Sequence, residues 1–390
     1  MILGFHYHIP YATNQNGSYV PGHFGLFIEE VAKHVSELKL FLFKRAHFDS
    51  TFFDYKLSLS NIKIIEVSIE KPAYVKYFCA YKIIGKLKDE LLSCEKFLLR
   101  GPSPMDYAFS KYFNKKDICN LVVGDYGEGN KFIKQPFYRI FPVKFLNFLM
   151  HRSYIRSLEG SKIACNSEML FENYNQLGSK AIIVNTGNVR KDDIVRIEKP
   201  NFQFKSIIKL LYVGRIDWAK GFKEMLEAIL LLNKTKTKRF ELHIVGWDET
   251  KEQTVLMEVK EYISKLGVGE FVIFNGKKRP GVELNQIYKD SDIFLLASYQ
   301  EGFPRTIWEA FANGLPVLTT SVGSIPLKLK DKKEALFFKP HDVDSLVNAV
   351  SEVLINLPLR KELVKNGFDL VSNNTIEIQV KHLINFVSNE

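Results

Sequence analysis

The sequence predicts an α/β protein built from two doubly wound parallel sheets, one after the other. Three observations lead there. Short apolar runs of four to eight residues alternate with longer segments of helical spacing along the chain, the pattern of strand–helix–strand units. The pattern breaks once, over 195–206 with Pro200, and then resumes in the same order. A length of 390 residues exceeds what one core usually fills. We therefore place an N-terminal domain at 1–197 and a C-terminal domain at 205–372. A last helix over 376–390 is expected to pack back on the first domain.

Taken in order, Met1–Phe5 opens as a strand, and a polar, glycine-containing loop spans Tyr11–Gly22. A helix follows from about His23 to Leu38, with Phe24, Phe27, Ile28, Val31, Ala32 and Val35 on one face. Leu40–Phe43 and Ile62–Val67 are strands, 74–92 a helix, and Lys96–Leu99 a strand running into Arg100-Gly-Pro-Ser-Pro104, a loop by composition. Asn120–Val123 leads into Gly124-Asp-Tyr-Gly-Glu-Gly129, and Lys162–Ala164 and Ala181–Val184 close the first set. The second set is clearer: strand Ile207–Val213, helix Phe222–Leu232, strand Glu241–Val245, helix 251–265, strand Phe271–Phe274 and helix 282–289. Ile293–Ala297 is a buried strand, Pro304 opens a helix that Gly314 stops, and Pro316–Thr319 is the next strand. Helices over 343–356, 358–372 and 376–387 complete the chain.

Composition is ordinary for a globular protein, with 46% hydrophobic and 25% charged residues. Cys79, Cys94, Cys119 and Cys165 have no paired spacing, which suits reduced thiols in the cytoplasm. No secretory signal or membrane span is visible. The net charge of +10 is uneven: residues 1–200 hold 28 Lys and Arg against 20 Asp and Glu, so the first half carries +8. Within it, residues 131–158 contain six cations and no acid, interleaved with aromatic residues such as Phe137, Phe141, Phe145 and Phe148. This segment reads as a solvated helix face over core aromatics, as a patch for an anionic membrane surface, or as a nucleic-acid patch. The last lacks any recognition module, so no nucleic-acid partner is expected.

Two loops carry the chemistry. In Val213-Gly-Arg-Ile-Asp-Trp-Ala-Lys-Gly221, Arg215 and Lys220 follow a strand and precede a helix, with Gly214 and Gly221 letting the backbone approach a ligand. Two cations at a helix N-terminus suit a phosphate, although solvated turn charges fit the same residues. Neither a Walker loop nor a dinucleotide fingerprint is present. In the second loop Glu301 precedes Gly302-Phe303-Pro304, and Glu309 lies eight positions on. Helical side chains lean toward the N-terminus, so Glu309 can point to the same end as Glu301.

Gly214-Arg215 with Lys220-Gly221, together with Glu301-Gly-Phe-Pro304, Glu309-Ala-Phe-Ala312, Gly314-Leu-Pro-Val317 and Ser321-Val-Gly-Ser-Ile-Pro326, resemble the retaining nucleotide-sugar glycosyltransferases of glycosyltransferase family 4. Leu327 departs from the pattern, since an acid commonly follows that proline. The resemblance is strong over 207–357 and implies the GT-B fold, two Rossmann-like doubly wound domains facing across a cleft. It implies that Arg215 and Lys220 bind the donor diphosphate, that Glu309 holds the ribose hydroxyls, and that Glu301 contacts the transferred sugar. It further implies that backbone amides at Gly302 and Phe303 lie near sugar and phosphate and Gly276 and Lys277 near the base, and that the donor is a UDP- or GDP-type sugar, with no cofactor and no metal. Glu301 could serve as a nucleophile only with a second carboxylate about 5–5.5 Å away. The resemblance instead implies front-face displacement in which the leaving phosphate takes the acceptor's proton.

In the first domain the resemblance is weaker. Relatives carry a histidine where this chain has Gly124-Asp125-Tyr126, so Asp125 is the candidate substitute there and Tyr126 a candidate cleft residue. Gly17–Gly22 with His23 is the candidate glycine-rich first loop, placing Gly22 by the donor and His23 by the acceptor. His23 also suits a helix cap. His6 and His8 read as structural, while Arg100 and Ser103 are candidate acceptor contacts. The resulting expectation is a hexosyltransferase acting on a surface polysaccharide or lipid-linked saccharide, lipopolysaccharide included, in the cytoplasm or at the inner face of the plasma membrane. A nucleotide-sugar epimerase and a non-catalytic sugar-nucleotide or glycan-binding subunit are the alternatives.

Overall fold

A computed structural model describes residues 1–126, 137–187, 189–194, 204–234, 238–279 and 281–389. Expectations for Gly129, for 131–136 and for most of the 195–206 break fall outside these residues. The chain divides into two compact units, Met1–Thr186 with Ile376–Glu390, and Gly187–Thr375.

The first unit is a seven-stranded parallel sheet. Its strands are β1 (Ile2–Tyr7), β4 (Glu37–Lys44), β6 (Ile62–Ile69), β7 (Lys96–Gly101), β8 (Ile118–Val122), β9 (Lys162–Cys165) and β10 (Lys180–Ile183), in the order β10-β9-β8-β7-β1-β4-β6. Such strands are covered by helices on both faces, which is why Leu40–Phe43 and Phe97–Leu99 are uninterrupted apolar runs with almost no exposed surface. Each fully buried Phe or Leu adds roughly 1.5–3 kcal/mol of burial free energy. The helix Ile376–Ser388 supplies Ile376, Val380, Leu383, Ile384 and Val387 to this unit's core. Gln379 accepts the Asn185 N–H at 2.9 Å, and the Lys162 ammonium donates to the Val387 carbonyl at 3.0 Å.

Three local expectations need correction here. The stretch Tyr11–Gly22 is not a plain loop: β2 (Ala12–Asn14) and β3 (Gly17–Val20) form an antiparallel pair extended by β5 (Tyr55–Lys56). Strands of two to four residues are too short to show alternation. The first helix stops at Ala32, because Leu38 onward is claimed by the sheet. The stretch 74–92 is two helices, Ala73–Gly85 and Lys88–Leu92.

The second unit holds a six-stranded parallel sheet: β11 (Ile207–Val213), β12 (Arg239–Val245), β13 (Val272–Gly276), β14 (Ile293–Leu296), β15 (Val317–Thr320) and β16 (Leu336–Phe338). The order is β13-β12-β11-β14-β15-β16. The three-residue edge strand β16 was not legible in the sequence. Residues 187–194 belong to this unit, where Val189 joins the core. In both sheets the chain runs outward in one direction and then returns to the centre to run outward in the other. The order reverses between β1 and β7 in the first and between β11 and β14 in the second. In open α/β sheets ligands bind at such switch points, beyond the carboxyl ends of the strands.

Candidate active site

The loops Gly214–Gly221 and Ser298–Gly302 leave β11 and β14 at the second sheet's switch point, so the two predicted loops are neighbours. Lys220 ends the turn Trp218–Lys220, which Asp217 caps by accepting the Ala219 N–H at 3.0 Å. The Lys220 ammonium donates to Glu301 Oε1 at 2.5 Å, and the Ser298 hydroxyl donates to the same oxygen at 2.6 Å. Both charged side chains are largely buried, at 16% and 13% exposure. The loops are also tied through their backbones, Tyr299 N–H to the Ala219 carbonyl at 2.9 Å.

Two glycines make this approach feasible. Gly221 has φ +73°, and a Cβ there would strike the Ala297 carbonyl. Gly323 has φ +58°, and a Cβ there would strike the carbonyl of Glu301 itself. The next residue, Ser324, donates its N–H to the Gly302 carbonyl at 3.1 Å. The Ser321–Ser324 segment after β15 thus fixes the Glu301 loop from behind.

Arg215 lies on the same edge. The Tyr212 hydroxyl donates to its carbonyl at 2.6 Å, close to where a Cβ on Gly214 would stand. Its guanidinium donates to Glu249 at 2.9 Å in a pair about half exposed on both sides. Exposed pairs contribute at most about 1 kcal/mol, so Arg215 can exchange Glu249 for a stronger anion. Gly214, Gly246 and Gly276 end three adjacent strands. Gly246 donates to the Gly276 carbonyl at 3.0 Å, and a Cβ on Gly246 would strike the Gly214 carbonyl. Lys277 follows, its ammonium 4.7 Å from the Trp247 ring.

Glu309 sits on the helix Arg305–Ala312, one residue later in its start than Pro304, which occupies the cap position. Its carboxylate accepts from the Tyr288 hydroxyl at 2.8 Å. Burial pushes its pKa up, opposed by the Tyr288 hydrogen bond and the Arg305 charge. Glu301 and Glu309 therefore face different partners and do not form a carboxylate pair. Phe303 packs on Trp308 at 5.0 Å, and Gly302 is exposed. The sequence reading missed Ser298, Glu249, Tyr288 and Trp247, and it quoted Gly323 within a motif without giving it a role. Of these, only Trp247, an aromatic directly after a strand-ending glycine, left a visible signal.

In the first unit, the corresponding switch point gathers a different set. Arg100, 5% exposed, stacks its guanidinium over Tyr7 at 4.8 Å and Phe27 at 5.0 Å. His6 Nδ1 lies 2.8 Å from the Phe41 carbonyl and Nε2 lies 3.1 Å from the Ser103 hydroxyl, assigning the ring proton to Nδ1. Burial lowers the His6 pKa to about 3 and that of His8 to about 4, so both are neutral. Asp106, which the sequence reading passed over, has no exposed surface and accepts the Ser103 N–H at 2.7 Å. Burial raises its pKa to about 8. Tyr126 meets Tyr154 at 6.1 Å, and burial raises both phenols. Asp125 is half-buried beyond the end of β8, and His23 is the second residue of the helix Gly22–Ala32, whose cap position is Pro21 and not His23 as the sequence suggested. Gly22 donates its N–H to Asp54 at 2.6 Å. The supposed glycine-rich loop is largely strand β3, so the backbone amides of Gly17–Val20 are not arrayed as an anion-binding loop.

Comparison with known proteins bears on the second unit most directly. Residues 195–369 match the family described as Glycosyl transferases group 1. This match covers both loops of the Lys220–Glu301 pair. Mannosylfructose-phosphate synthase of Agrobacterium fabrum is 31% identical over 140 residues, covering 35% of this chain and 30% of that protein. The chain's matches span about a third of the length of the curated relatives it resembles. The whole chain also superposes on solved structures. WaaG, a glycosyltransferase involved in lipopolysaccharide biosynthesis, matches over 100% of both chains with a TM-score of 0.70 at 17% identity. Anabaena HepE in complex with UDP matches over 98% of each with a TM-score of 0.71 at 15% identity. The fold is GT-B.

Proposed function

We propose that the chain is a retaining glycosyltransferase of family 4 type. It would move a hexose from a UDP- or GDP-sugar to a saccharide acceptor, without a resident cofactor or metal. The observation that carries this is the buried Lys220–Glu301 contact between two switch-point loops, with Arg215 on the same edge. A nucleoside diphosphate leaving group gathers negative charge on its β-phosphate. Two cations and the N-terminus of the helix Phe222–Lys234 stabilise that charge where it grows. Glu301 would accept hydrogen bonds from the sugar's hydroxyls and Glu309 from the ribose, since a carboxylate offers oxygen lone pairs to a diol. Gly302 and Phe303 would lie near sugar and phosphate, Gly276 and Lys277 near the base.

In the reaction the bond from the anomeric carbon to the β-phosphate oxygen breaks and an acceptor oxygen bonds on the same face. The acceptor's proton passes to the departing phosphate. Arg100, Ser103, His23, Asp125 and Tyr126 of the first unit would contribute to acceptor binding or sugar positioning. Asp125 would stand where relatives place a histidine.

The acceptor is read as a surface polysaccharide or lipid-linked saccharide at the inner face of the membrane. Phe141, Phe145 and Phe148 support this, standing 54–78% exposed on the helix Phe137–Leu158. Among the described residues no helix is long and apolar enough to cross a membrane, so association would be peripheral. The test is product stereochemistry by NMR with the donor that turns over. An anomeric configuration equal to the donor's supports retention, and the opposite configuration refutes it. Arg215→Ala and Lys220→Ala should each lose most turnover.

A further inference from the structure

On the first unit, the helices Ala73–Gly85 and Phe137–Leu158 enclose a groove with Pro104–Ala108, the segment that follows the Arg100–Ser103 stretch. Its volume is about 630 Å³, within the range of small-molecule sites. One wall presents rings: Tyr77 and Tyr81 one helical turn apart, with Phe78 between them and Tyr107 facing from the neighbouring segment. Phe78 and Tyr81 are more than half exposed, at 69% and 56%. The other wall presents Arg152, Ser153 and Arg156, which follow Leu149 at the three- and four-residue spacing of one helix face. Among the described residues neither arginine pairs with a carboxylate, although most cations of this unit that meet an acid do so within 3 Å, as Lys39 does with Glu90 at 2.7 Å. Lys111 adds a third cation at the same end, 4.7 Å from the Tyr107 ring.

Flat rings opposite two unpaired guanidinium groups are a recognisable combination. Aromatic faces pack on the C–H faces of pyranose rings, phenol and serine hydroxyls hydrogen-bond sugar hydroxyls, and arginine pairs bidentately with phosphate or carboxylate. The Tyr77 hydroxyl already donates to the Leu149 carbonyl at 3.5 Å, but an acyl chain would strip water from the hydroxyls of Tyr81 and Ser153 and give them no partner in return. We infer that this groove binds an anionic saccharide, a stretch of sugar carrying phosphate or carboxylate groups. The inference deepens the proposed function, resting on its reading of the first unit as the acceptor side, and specifies the acceptor's chemistry.

Direct binding without donor separates this inference from the transferase reading. The full chain is titrated calorimetrically with tetragalacturonate, neutral maltotetraose and phosphatidylglycerol vesicles. UDP and GDP titrations monitor the second unit. The groove predicts tetragalacturonate bound at least tenfold tighter than maltotetraose. Arg152→Gln with Arg156→Gln, both on exposed residues, should erase that preference and leave nucleotide binding unchanged. Tyr81→Ala should weaken both saccharides by fivefold or more. Equal affinity for the charged and neutral sugars, an unchanged preference in the arginine variant, or arginine-dependent binding to vesicles alone would each overturn the assignment. Loss of nucleotide binding by the wild type would count against the transferase reading and leave the groove result intact.

Discussion

Glu301→Gln offers a prediction with an unusual sign. In the resting structure Lys220 is committed to Glu301 at 2.5 Å, with Ser298 on the same oxygen. A diphosphate that recruits Lys220 must draw it from a charged partner. Glutamine keeps the shape and can still accept from Ser298 and Lys220, but the bond to Lys220 becomes one to a neutral group. Lys220 stays charged, so its bond to the amide remains charge-assisted, and what the substitution removes is the carboxylate's own charge, on the order of 1 kcal/mol for a pair that solvent still partly screens. That difference is released to the incoming phosphate, which corresponds to roughly fivefold tighter binding. Free UDP or GDP should therefore bind more tightly to Glu301→Gln than to the wild type by calorimetry, whereas sugar transfer should fall at least a hundredfold. Binding that weakens in parallel with turnover would refute this division of labour, placing Glu301 on the nucleotide and not on the sugar.

The loop geometry and the buried carboxyl give two more tests. Gly323→Ala should cost more than 2 kcal/mol in urea denaturation, since its Cβ would strike the Glu301 carbonyl. Gly267→Ala, with φ +68° but open space around it, should cost only about 1 kcal/mol, and equal losses would contradict the packing. Asp106 has a folded pKa of about 8 against an ordinary 3.8, so the folded chain holds a proton between these values that the unfolded chain has released. Stability should therefore fall as pH rises through roughly 4 to 8, by at most about 1.4 kcal/mol per pH unit, and level off above. Asp106→Asn can still accept the Ser103 N–H and should lose that slope; superimposable pH profiles would show the carboxyl is already ionised in the folded state.

The second unit was legible because its strands read as mainly apolar runs, interrupted only by single polar residues such as Lys209, Glu241 and His243 and bounded by glycines with steric duties. Ile207–Val213 and Val282–Lys289 fall where the spacing places them. The Gly214–Gly221 and Glu301 loops could be paired from sequence only through resemblance, since nothing in their spacing states that β11 and β14 are neighbours. The role of Gly323, quoted within its motif, stayed hidden for the same reason: its partner, the Glu301 carbonyl, lies across the sheet's strand order. Glu309 shows the opposite limit. Helical lean allows it to face Glu301, but Tyr288 on an adjacent helix supplies the hydroxyl that holds it. In the first unit, Asp106 gave no signal because a buried carboxyl and a surface one look alike in a sequence. The two- and four-residue strands beside Gly22 were invisible because pairing, not propensity, makes them.

The most direct test of the central claim is nucleotide release from UDP-, GDP-, ADP- and CMP-sugars, with nucleotide binding followed in the same samples, for the wild type and Glu301→Ala. Release from one donor, abolished in Glu301→Ala while Lys220→Ala lowers nucleotide affinity, is the predicted result. A wild-type chain that binds none of these nucleotides would contradict the claim that its second unit is a sugar-nucleotide site.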